Sequence, residues 1–598
     1  MLHRIRYRGP DDLHVEVGDD YTLGAVRLSI IDLEGGRQPL RNEGGDVVAC
    51  QNGEIYDFVE LRAELEGLGH VFTSRTDTEV LAHGWESWGR GLAGRLVGMF
   101  SVAVWDERTG EGYLARDRVG KKPLYYHLAP DGTLAFASEI KALLDLPTVS
   151  RALDPLAIDA FLGLKHVPAP RTAWRDIRAV PPGHWLSWRA GGQVRVEPYF
   201  RLSWRADPAL STDPEALDDA LLTRLTRAID RRLRSDVPVA FFLSGGIDSS
   251  LIAAIAATRT DGPIHTYTLT YDGSDATPGK ELDRRCARLV SARYGTVHVE
   301  ESIGPGDLRT ELPGILSQFD DPFSGVLSTW YLARRIAQDV KVAVSGDGAD
   351  ELFGSYLTHR LGAALAHGLE VEEEVARRFG LRRDLWEAAR GLPVSSWRAR
   401  LGGIDWERRR GLYSRDFLNR LGELDLVEES WRELSAVSDA TDPLARVLDI
   451  EWRSQLPDQI LTFVDRLSMA HSLEVRCPFL DQDFVELVAR LPAADRIGRD
   501  GTTKVALRRL ARRFLPAEAI DRPKEGFLMP ISPWLGRLGP WLREVLAPER
   551  VAATGILEPG PAQALVERFL SGEVSEGPAV FSLLALQIWH DLHGLVLA

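Results

Sequence analysis

Residues 239–250 have the sequence VAFFLSGGIDSS, which indicates a strand, a tight turn and the start of a helix. The apolar run 239–243 is typical of a buried strand, and SLIAAIAA from Ser250 onward is typical of a helix. Between them, two glycines let the backbone approach an anion closely, and free N–H groups at the helix start can hold phosphate oxygens. The turn lacks the Gly-Lys-Ser/Thr ending of a Walker loop, so it predicts a different kind of phosphate site. The plainer alternative is a strand–turn–helix whose glycines only allow tight packing.

The composition describes a large globular protein of ordinary polarity. The chain has 598 residues, 44% hydrophobic and 27% charged, so we expect two or three domains. A net charge of −15 disfavours a nucleic-acid partner, which requires a basic face. No apolar run approaches the roughly 20 residues that cross a bilayer, and the start MLHRIR has no apolar signal core, so we expect no membrane association and a cytoplasmic location. Three cysteines without paired spacing exclude a disulfide framework and a zinc-finger pattern.

The chain divides into two regions that differ in their pattern of predicted helices and strands. Residues 1–200 contain strand-like segments in runs, with helical patterns near 58–68 and 77–88, which predicts a layered α+β domain. A polar, proline-containing stretch at 201–215 is the predicted linker. From 216 to 598, helices and strands first alternate and the part beyond 355 is mostly helical, which predicts a parallel sheet with a helical carboxyl-terminal part. The predicted strands of that sheet are 239–243, 264–270, 296–299 and 341–345.

A second turn, SGDGADELFGSY at 345–356, follows the last of these strands. Asp347, Asp350 and Glu351 place three carboxylates within five residues. Beside a phosphate loop, such carboxylates suit Mg²⁺ that carries polyphosphate oxygens. Taken alone, a helix N-terminus with favourable acidic residues is a fair alternative explanation.

Several segments together resemble the glutamine-dependent asparagine synthetases. The turn at 244–249 is similar to the pyrophosphate loop of N-type ATP pyrophosphatases, and with 345–356 it resembles the synthetase domain of this family. The resemblance covers nearly the whole chain except 360–440. It implies a glutaminase-like domain (an Ntn-type αββα sandwich) followed by an α/β parallel-sheet ATP-pyrophosphatase domain. The other similar segments are RGPD (8–11), NGEIY (52–56), TDTE (76–79), RDRVGKKPLYY (116–126), DRLSMAHSLEVRCPFLD (465–481) and RPKEGF (522–527).

This resemblance implies adenylation chemistry that uses ATP and Mg²⁺. A carboxylate, usually the side chain of L-aspartate, attacks the α-phosphorus of ATP, pyrophosphate leaves, and ammonia converts the acyl-adenylate into an amide and AMP. The implied catalytic residues are Asp347, as a base, and Lys524, as a cation for the α-phosphate. The implied metal ligands are Asp248, Asp350 and Glu351. The implied ATP and pyrophosphate ligands are Leu243, Ser244, Gly245, Gly246, Asp248, Ser249, Ser345 and Gly346.

The glutaminase half matches the family only in part. Positions that hold glutamine in the family are matched by Arg27, Asn52, Gly53 and Asp77. Arginine suits the α-carboxylate, aspartate the α-ammonium, and the Asn-Gly pair an oxyanion hole. The family's nucleophile, a cysteine at the mature N-terminus in a Cys-Gly-Ile context, is absent here, and Cys50 is interpreted as a core residue. Two explanations stay open: the true start lies upstream, which the intact glutamine-binding set favours, or the enzyme uses free ammonia or another amine.

Other functions remain beside the aspartate assignment. The same chemistry on a natural-product, peptide or sugar carboxylate, including amide-closing cyclisation, fits the unusual residues Ser324, Gly325, Val326 and Trp330 in a segment expected to line the acyl site. A non-catalytic scaffold is disfavoured by the two complete loops, and RNA modification by the negative charge. The resembled family often forms dimers, so a homodimer is one expected assembly. The sequence also predicts two buried ion pairs, Glu474–Arg476 and Asp465–Arg466.

Overall fold

The computed structural model describes residues 1–189, 192–271, 277–369, 377–522, 526 and 529–594. Antiparallel strands form its first part. These strands are β1 (Asp12–Val17), β2 (Thr22–Arg27), β3 (Leu40–Arg41), β4 (Val47–Ile55), β5 (Gly98–Asp106), β6 (Glu111–Arg116), β7 (Tyr125–Leu128), β8 (Leu134–Ala137), β9 (Arg178–Ala179), β10 (His184–Arg189) and β11 (Arg195–Pro198). A six-stranded sheet has the order β11-β10-β6-β5-β4-β3, a three-stranded sheet the order β8-β7-β9, and β1 pairs with β2.

Alternating side chains on the six-stranded sheet create its two packing faces. In β4, Val47 and Ala49 pack with helices α1 (Phe58–Gly67) and α2 (Glu79–Trp88). Val48 and Cys50 point to the opposite face, against the three-stranded sheet. On the far side of that smaller sheet, α4 (Ile140–Leu143) contacts β7 and β8. The order of layers is therefore helix, sheet, sheet, helix, which confirms the predicted αββα sandwich.

The second part contains one parallel sheet of five strands. They are β12 (Val239–Phe242), β13 (His265–Tyr271), β14 (Val297–Ile303), β15 (Val342–Val344) and β16 (Glu474–Arg476). The order is β14-β13-β12-β15-β16, and every neighbouring pair is parallel. The predicted α/β sheet is confirmed, whereas β16 was not predicted because three residues between helices give no periodic signal.

Helices surround this sheet and make up most of the remaining chain. The labelled helices are α3 (Leu92–Arg95), α5 (Pro155–Leu164), α6 (Pro214–Leu233), α7 (Ile247–Ala257), α8 (Pro278–Tyr294), α9 (Pro305–Leu316), α10 (Ser328–Ile336), α11 (Ala349–Phe353) and α12 (Leu357–Ala366). Further helices are Arg383–Arg390, Val394–Ala399, Trp406–Arg410, Arg415–Leu421, Leu426–Ala436, Pro443–Trp452, Thr462–Met469, Gln482–Val488, Ala493–Arg496, Val505–Ala511, Ala517–Ile520, Ile531–Arg537, Gly539–Val545, Pro548–Ala553, Pro559–Leu570 and Gly577–His593, with a π-helical turn at Leu456–Leu461. Short 3₁₀ helices are Leu2–Arg8, Gly89–Gly91, Pro208–Ser211, Pro478–Leu480 and Val574–Glu576. Among the described residues, no helix combines the length and apolar character needed to cross a membrane.

The domain limits 1–200, 201–215 and 216–598 stay a prediction.

Buried ion pairs join the two parts of the chain. Arg8 Nη1 lies 2.8 Å from Glu139 Oε1 and 2.8 Å from Asp465 Oδ2. Lys122 Nζ lies 3.2 Å from Asp465 Oδ1. The predicted Asp465–Arg466 pair is therefore wrong, since Arg466 Nη1 instead lies 2.9 Å from Glu139 Oε1. Consecutive residues on a helix point about 100° apart, so each side chain meets a different partner.

The other predicted ion pair is present and has an additional partner. Arg476 Nε lies 2.8 Å from Glu474 Oε1, which confirms the prediction, and Arg476 Nη2 lies 3.2 Å from Glu54 Oε2 in the first part. Arg476 is fully buried. This strand thus completes the sheet and holds the two parts together.

Candidate active site

A cavity of about 560 Å³ opens at the carboxyl ends of β12 and β15. Both sequence-predicted loops line it, through Ser244, Gly246, Asp248 and Ser249 from the first and Ser345, Gly346, Asp347, Asp350 and Glu351 from the second. The residues of these loops are thus assembled where ligands of parallel sheets bind. Two residues predicted to bind ATP, Leu243 and Gly245, do not line the cavity.

The first loop is closed by its own hydroxyl groups. The Ser244 amide donates to Ser249 Oγ at 3.1 Å, and the two serine hydroxyls lie 3.0 Å apart. Gly245 has φ of +77°, and a Cβ there would lie 2.0 Å from the carbonyl oxygen of Asp283, so only glycine fits this turn. Leu243 donates its amide to Tyr267 O at 2.8 Å, and it frames the loop from the sheet. The loop therefore holds its shape without a ligand.

The second loop lies directly against the first. A Cβ on Gly346 would lie 2.9 Å from the backbone nitrogen of Ser249 and 3.1 Å from Asp248 Cβ. Close approach of the two loops therefore requires glycine at position 346. Ser345 Oγ donates to Asp347 Oδ2 at 2.6 Å. Burial raises the pKa of Asp347, and this hydrogen bond only partly offsets the effect.

A lysine that the sequence analysis did not select connects the two loops. Lys504 Nζ lies 2.6 Å from Asp248 Oδ2 and 2.6 Å from Asp350 Oδ1. Burial alone would lower the pKa of Lys504, but the two carboxylates raise it above its ordinary value. The ammonium is therefore charged at neutral pH and holds both carboxylates. A signal was available, because Lys504 is one of only eight lysines among 72 basic residues.

The carboxylates of the loops include a free ligand atom for a cation. Asp248 Oδ1 is buried and has no hydrogen-bond partner within the described part of the chain. Such an oxygen, next to a second carboxylate from Asp350, suits a hard divalent cation such as Mg²⁺. The third predicted metal ligand, Glu351, also lines the cavity, but its Oε1 accepts a hydrogen bond from the Tyr356 hydroxyl.

The predicted catalytic Lys524 lies outside the described residues. Its neighbour Arg522 is described and was missed by the sequence analysis. Arg522 Nη2 donates to the Gly245 carbonyl at 2.8 Å, and Nη1 donates to Asp283 Oδ1 at 2.6 Å. Arg522 is thereby bonded to the first loop and to Asp283.

A second lysine, Lys165, also lines the cavity. Lys165 ends α5 with φ of +71°, a left-handed conformation that usually belongs to glycine. It lines the cavity and forms no ion pair within the described ranges. Among those residues, four non-glycine residues have positive φ, and Lys165 and Lys504 are two of them. Strained conformations of this kind are concentrated at functional sites.

The segment expected to line the acyl site does so in part. Ser324, Gly325 and Val326 line the cavity. Trp330 is absent from its lining, because the indole instead donates to Glu311 Oε2 at 2.8 Å and packs on His471. Its expected role at the acyl site is therefore wrong.

A second, smaller cavity of about 150 Å³ is lined mostly by the first part of the chain, with Met469 and Glu474 contributed by the second. Arg27, Asn52 and Gly53 line it, but Asp77 does not. Arg27 already donates to three backbone carbonyls, those of Ile31, Asp32 and Leu33. The structure thus brings three of the four predicted glutamine-binding residues together.

Asp77 lies beside this cavity with its carboxylate hydrogen-bonded, and Cys50 lines the cavity with a buried thiol. Asp77 Oδ2 accepts from Gln51 Nε2 at 2.6 Å and from the Ile55 amide at 2.8 Å. Cys50 lines the cavity, but burial raises the pKa of its thiol to about 12. It is a core residue, as predicted, and does not supply a thiolate at neutral pH.

Comparisons with known proteins agree with this geometry. Residues 220–591 match the model of the asparagine synthase family, and residues 1–200 match that of a glutamine amidotransferase domain. A Mycobacterium tuberculosis protein, provisionally named an asparagine synthetase (glutamine-hydrolyzing), is 33% identical over 99% of this chain and 92% of its own length. Asparagine synthetase (glutamine-hydrolyzing) 1 of Bacillus subtilis is 29% identical over 99% of this chain and 93% of its own. A solved glutamine phosphoribosylpyrophosphate amidotransferase from B. subtilis is 16% identical and covers 50% of this chain and 77% of its own, with a TM-score of 0.26 that is too low to add to the assignment.

The two halves define an ATP-dependent, amide-forming ligase joined to an amidotransferase-type domain. The chain belongs to the asparagine synthase family. The predicted resemblance, fold class and class of enzyme are confirmed.

Proposed function

We propose that this chain converts L-aspartate into L-asparagine in the 560 Å³ cavity, with ATP converted into AMP and pyrophosphate. One observation carries the proposal: the two strand-end loops touch, so that phosphate-binding amides and carboxylates lie in one cavity. The asparagine synthetase names of the full-length relatives support aspartate as the substrate.

The proposed reaction has two steps. A side-chain carboxylate oxygen of aspartate attacks the α-phosphorus, a new C–O–P linkage forms, and the bond from phosphorus to the pyrophosphate oxygen breaks. Ammonia then attacks the acyl carbon, and AMP leaves with the electron pair of the C–O bond. The amides of the first loop would stabilise the pyrophosphate as its charge develops. Asp347 would accept the proton that nitrogen loses, a role that suits a buried carboxylate with a raised pKa.

Mg²⁺ is the proposed metal, held by Asp248 and Asp350. When bound, it neutralises charge on polyphosphate oxygens. Lys504 would keep the two carboxylates at a fixed separation and limit their mutual repulsion before ATP binds. Glu351 is a weaker candidate ligand because the Tyr356 hydroxyl already occupies one of its oxygens.

Lys165 is the proposed anchor for the α-carboxylate of aspartate. Lys165 lines the cavity, and its carbonyl accepts a hydrogen bond from the amide of Ser324, whose segment also lines the cavity. A charge-assisted hydrogen bond to a buried carboxylate is worth about 1.5–3 kcal/mol. The second candidate is the same reaction on another carboxylate substrate. It is supported by the unusual Ser324-Gly325-Val326 run, which lines the cavity.

Free ammonia is the proposed nitrogen source for the chain as given. All three cysteines are buried. Burial raises the pKa of Cys50 to about 12 and that of Cys477 to about 11, so neither is a ready nucleophile. Three unpaired thiols also fit a reducing compartment, which supports the cytoplasm as the proposed location.

The test is product analysis with purified protein, ATP, Mg²⁺ and aspartate, using ammonium or glutamine as parallel nitrogen sources. We expect asparagine, AMP and pyrophosphate in equal amounts with ammonium, and no asparagine with glutamine alone. AMP and pyrophosphate formed only with a different carboxylate would overturn aspartate and keep the chemistry. If no carboxylate leads to pyrophosphate release, the ligase activity itself is overturned.

A further inference from the structure

Two histidines and a glutamate meet on the helix side of the first sheet, away from both cavities. They come from three separate segments: Glu43 follows β3, His70 follows α1, and His83 lies within α2. One ligand atom from each lies within 4.8 Å of the others. His83 is fully buried, His70 is mostly buried, and Glu43 is partly exposed and faces solvent.

Both histidines turn the same ring nitrogen toward this carboxylate. His70 Nδ1 lies 3.0 Å from Glu43 Oε1, and His83 Nδ1 lies 2.8 Å from Glu43 Oε2. The second contact lacks hydrogen-bond geometry, so buried His83 Nδ1 has no hydrogen-bond partner within the described part of the chain. Burying a polar nitrogen without a partner is costly. An additional ligand at this point would remove that cost.

The opposite nitrogen of each ring is held by another side chain. His70 Nε2 lies 2.8 Å from Ser87 Oγ, and His83 Nε2 lies 3.5 Å from Glu79 Oε1. Glu79 is itself fixed by backbone and hydroxyl donors of Thr73 and Ser74. Histidine ligands of metals are commonly held in this way, by a carboxylate or another acceptor on the second nitrogen.

From this arrangement we infer that Glu43, His70 and His83 form a binding site for a Zn²⁺-type divalent cation, with water as the remaining ligand. Two imidazoles and one carboxylate with an open position form a familiar zinc donor set. In a tetrahedral site the donor atoms lie roughly 3.4 Å apart, which follows from Zn–ligand distances of about 2.1 Å. The present separations of 2.8 and 3.0 Å need to open by only a few tenths of an ångström.

The ion would join three segments that are separate in the sequence. His70 and His83 lie on either side of the loop that carries Asp77, and Glu43 follows β3, which pairs with β4. Binding would therefore stabilise the sheet–helix contact around this loop. The site is independent of the ligase reaction in the larger cavity.

The test uses the full chain, freed of metal by a chelator and titrated with Zn²⁺ by calorimetry and with Co²⁺ by visible absorption. Excess Mg²⁺ in the titrations occupies the carboxylates proposed to bind it in the larger cavity, so we expect one Zn²⁺ or Co²⁺ per chain, with Co²⁺ bands typical of nitrogen ligation. His70→Gln and Glu43→Gln should each weaken Zn²⁺ binding by at least about 100-fold, and Glu79→Gln by about 10–100-fold, because it removes only the group that orients His83. His83→Gln removes the buried ligand and should also abolish tight binding. If this substitution in the core prevents folding, His70→Gln still tests the site.

Two controls separate this site from other binding. His265→Gln removes an exposed histidine in the second part of the chain and should leave the affinity unchanged. Asp350→Asn removes a carboxylate of the ATP cavity and should also leave it unchanged. Loss of binding in Asp350→Asn, unchanged binding in His70→Gln and Glu43→Gln, or no binding at all would each overturn the inference.

Discussion

The two cavities of this protein differ in how their polar groups are satisfied before any ligand arrives. In the larger cavity, Asp248 Oδ1 is buried without a partner in the described part of the chain, and Lys165 forms no ion pair there. In the smaller one, Arg27 donates to three carbonyls and Asn52 donates to Ser138 Oγ at 3.1 Å. The first cavity therefore holds a carboxylate oxygen that can accept a cation and a lysine that can bind an anion, whereas in the second a ligand must compete with bonds inside the protein. The comparison teaches that two cavities can both retain residues typical of the family, while the polar groups of one are free for a ligand and those of the other are already hydrogen-bonded.

Asp248→Asn tests the larger cavity most directly. It removes a charge from the phosphate loop and leaves Lys504 with one carboxylate instead of two. We expect AMP formation to fall by about 10²–10³-fold, the usual effect of removing one preorganised electrostatic group. The measurement is pyrophosphate release, with Asp230→Asn as the control, since Asp230 forms an exposed pair with Arg259 and no other ion pair among the described residues. Equal activity of the two variants would contradict the proposed role.

Lys504→Met tests whether the lysine replaces a metal ion before substrates bind. Methionine keeps the unbranched stem but leaves two close carboxylates without their cation. We expect the free energy of unfolding to fall by about 3 kcal/mol without Mg²⁺, as for other broken buried ion pairs. Urea unfolding should show a smaller deficit when Mg²⁺ is added, because the ion supplies the missing charge. A deficit that Mg²⁺ does not change would argue against metal binding by Asp248 and Asp350.

Lys165→Met separates substrate recognition from ATP binding. The loss of one charge-assisted hydrogen bond should raise the KM for aspartate by about 10–100-fold and leave the KM for ATP unchanged. Lys165→Arg keeps the charge and should recover part of the affinity. If KM for both substrates rises together, the lysine supports the cavity as a whole and does not recognise the acyl substrate.

Asp458→Asn extends the comparison to the contact between the two parts of the chain. Asp321 and Asp458 accept hydrogen bonds from the Ala173 and Ala169 amides. Burial raises the pKa of each to about 7. Because the folded pKa exceeds the unfolded value near 4, protonation stabilises the fold at low pH, and this contribution is lost as pH rises through 7.

The Asp458→Asn variant should therefore gain stability over the parent chain by up to about 4 kcal/mol at pH 8 and match it near pH 4, since each pKa unit corresponds to about 1.4 kcal/mol. Urea unfolding at both pH values measures this difference. A variant that is less stable at pH 8 would show that the Asp458 charge is compensated.

Arg27→Gln is expected to have the smallest effect on synthesis. The ammonium-dependent rate should change by no more than about twofold, because distant sites in a protein usually act independently. Asparagine formation with saturating ammonium measures it. A large loss would show that the two cavities are coupled, which would break the distinction between them.

Most of the fold was predictable because the sequence patterns that indicate its strands, turns and helices each lie within a short stretch of the chain. The run at 239–250 encodes its own strand, turn and helix, and the alternation of short apolar strands indicated the antiparallel sandwich. The same reasoning missed β16, whose three residues gain strand structure only by pairing with β15. It also paired Asp465 with its neighbour Arg466, although their partners lie in the other half of the chain.

The sequence by itself determined the two loops and their glycines, because each loop's backbone chemistry lies within a few consecutive residues. Only the tertiary structure decided which charges meet. Lys504 reaches Asp248 across 256 positions of the chain, and Glu43, His70 and His83 meet from three segments. Such contacts depend on how helices and sheets pack, since side-chain direction and burial are fixed only when the whole core forms. Local patterns therefore predicted the chemistry of this protein, and packing decided which residues carry it out together.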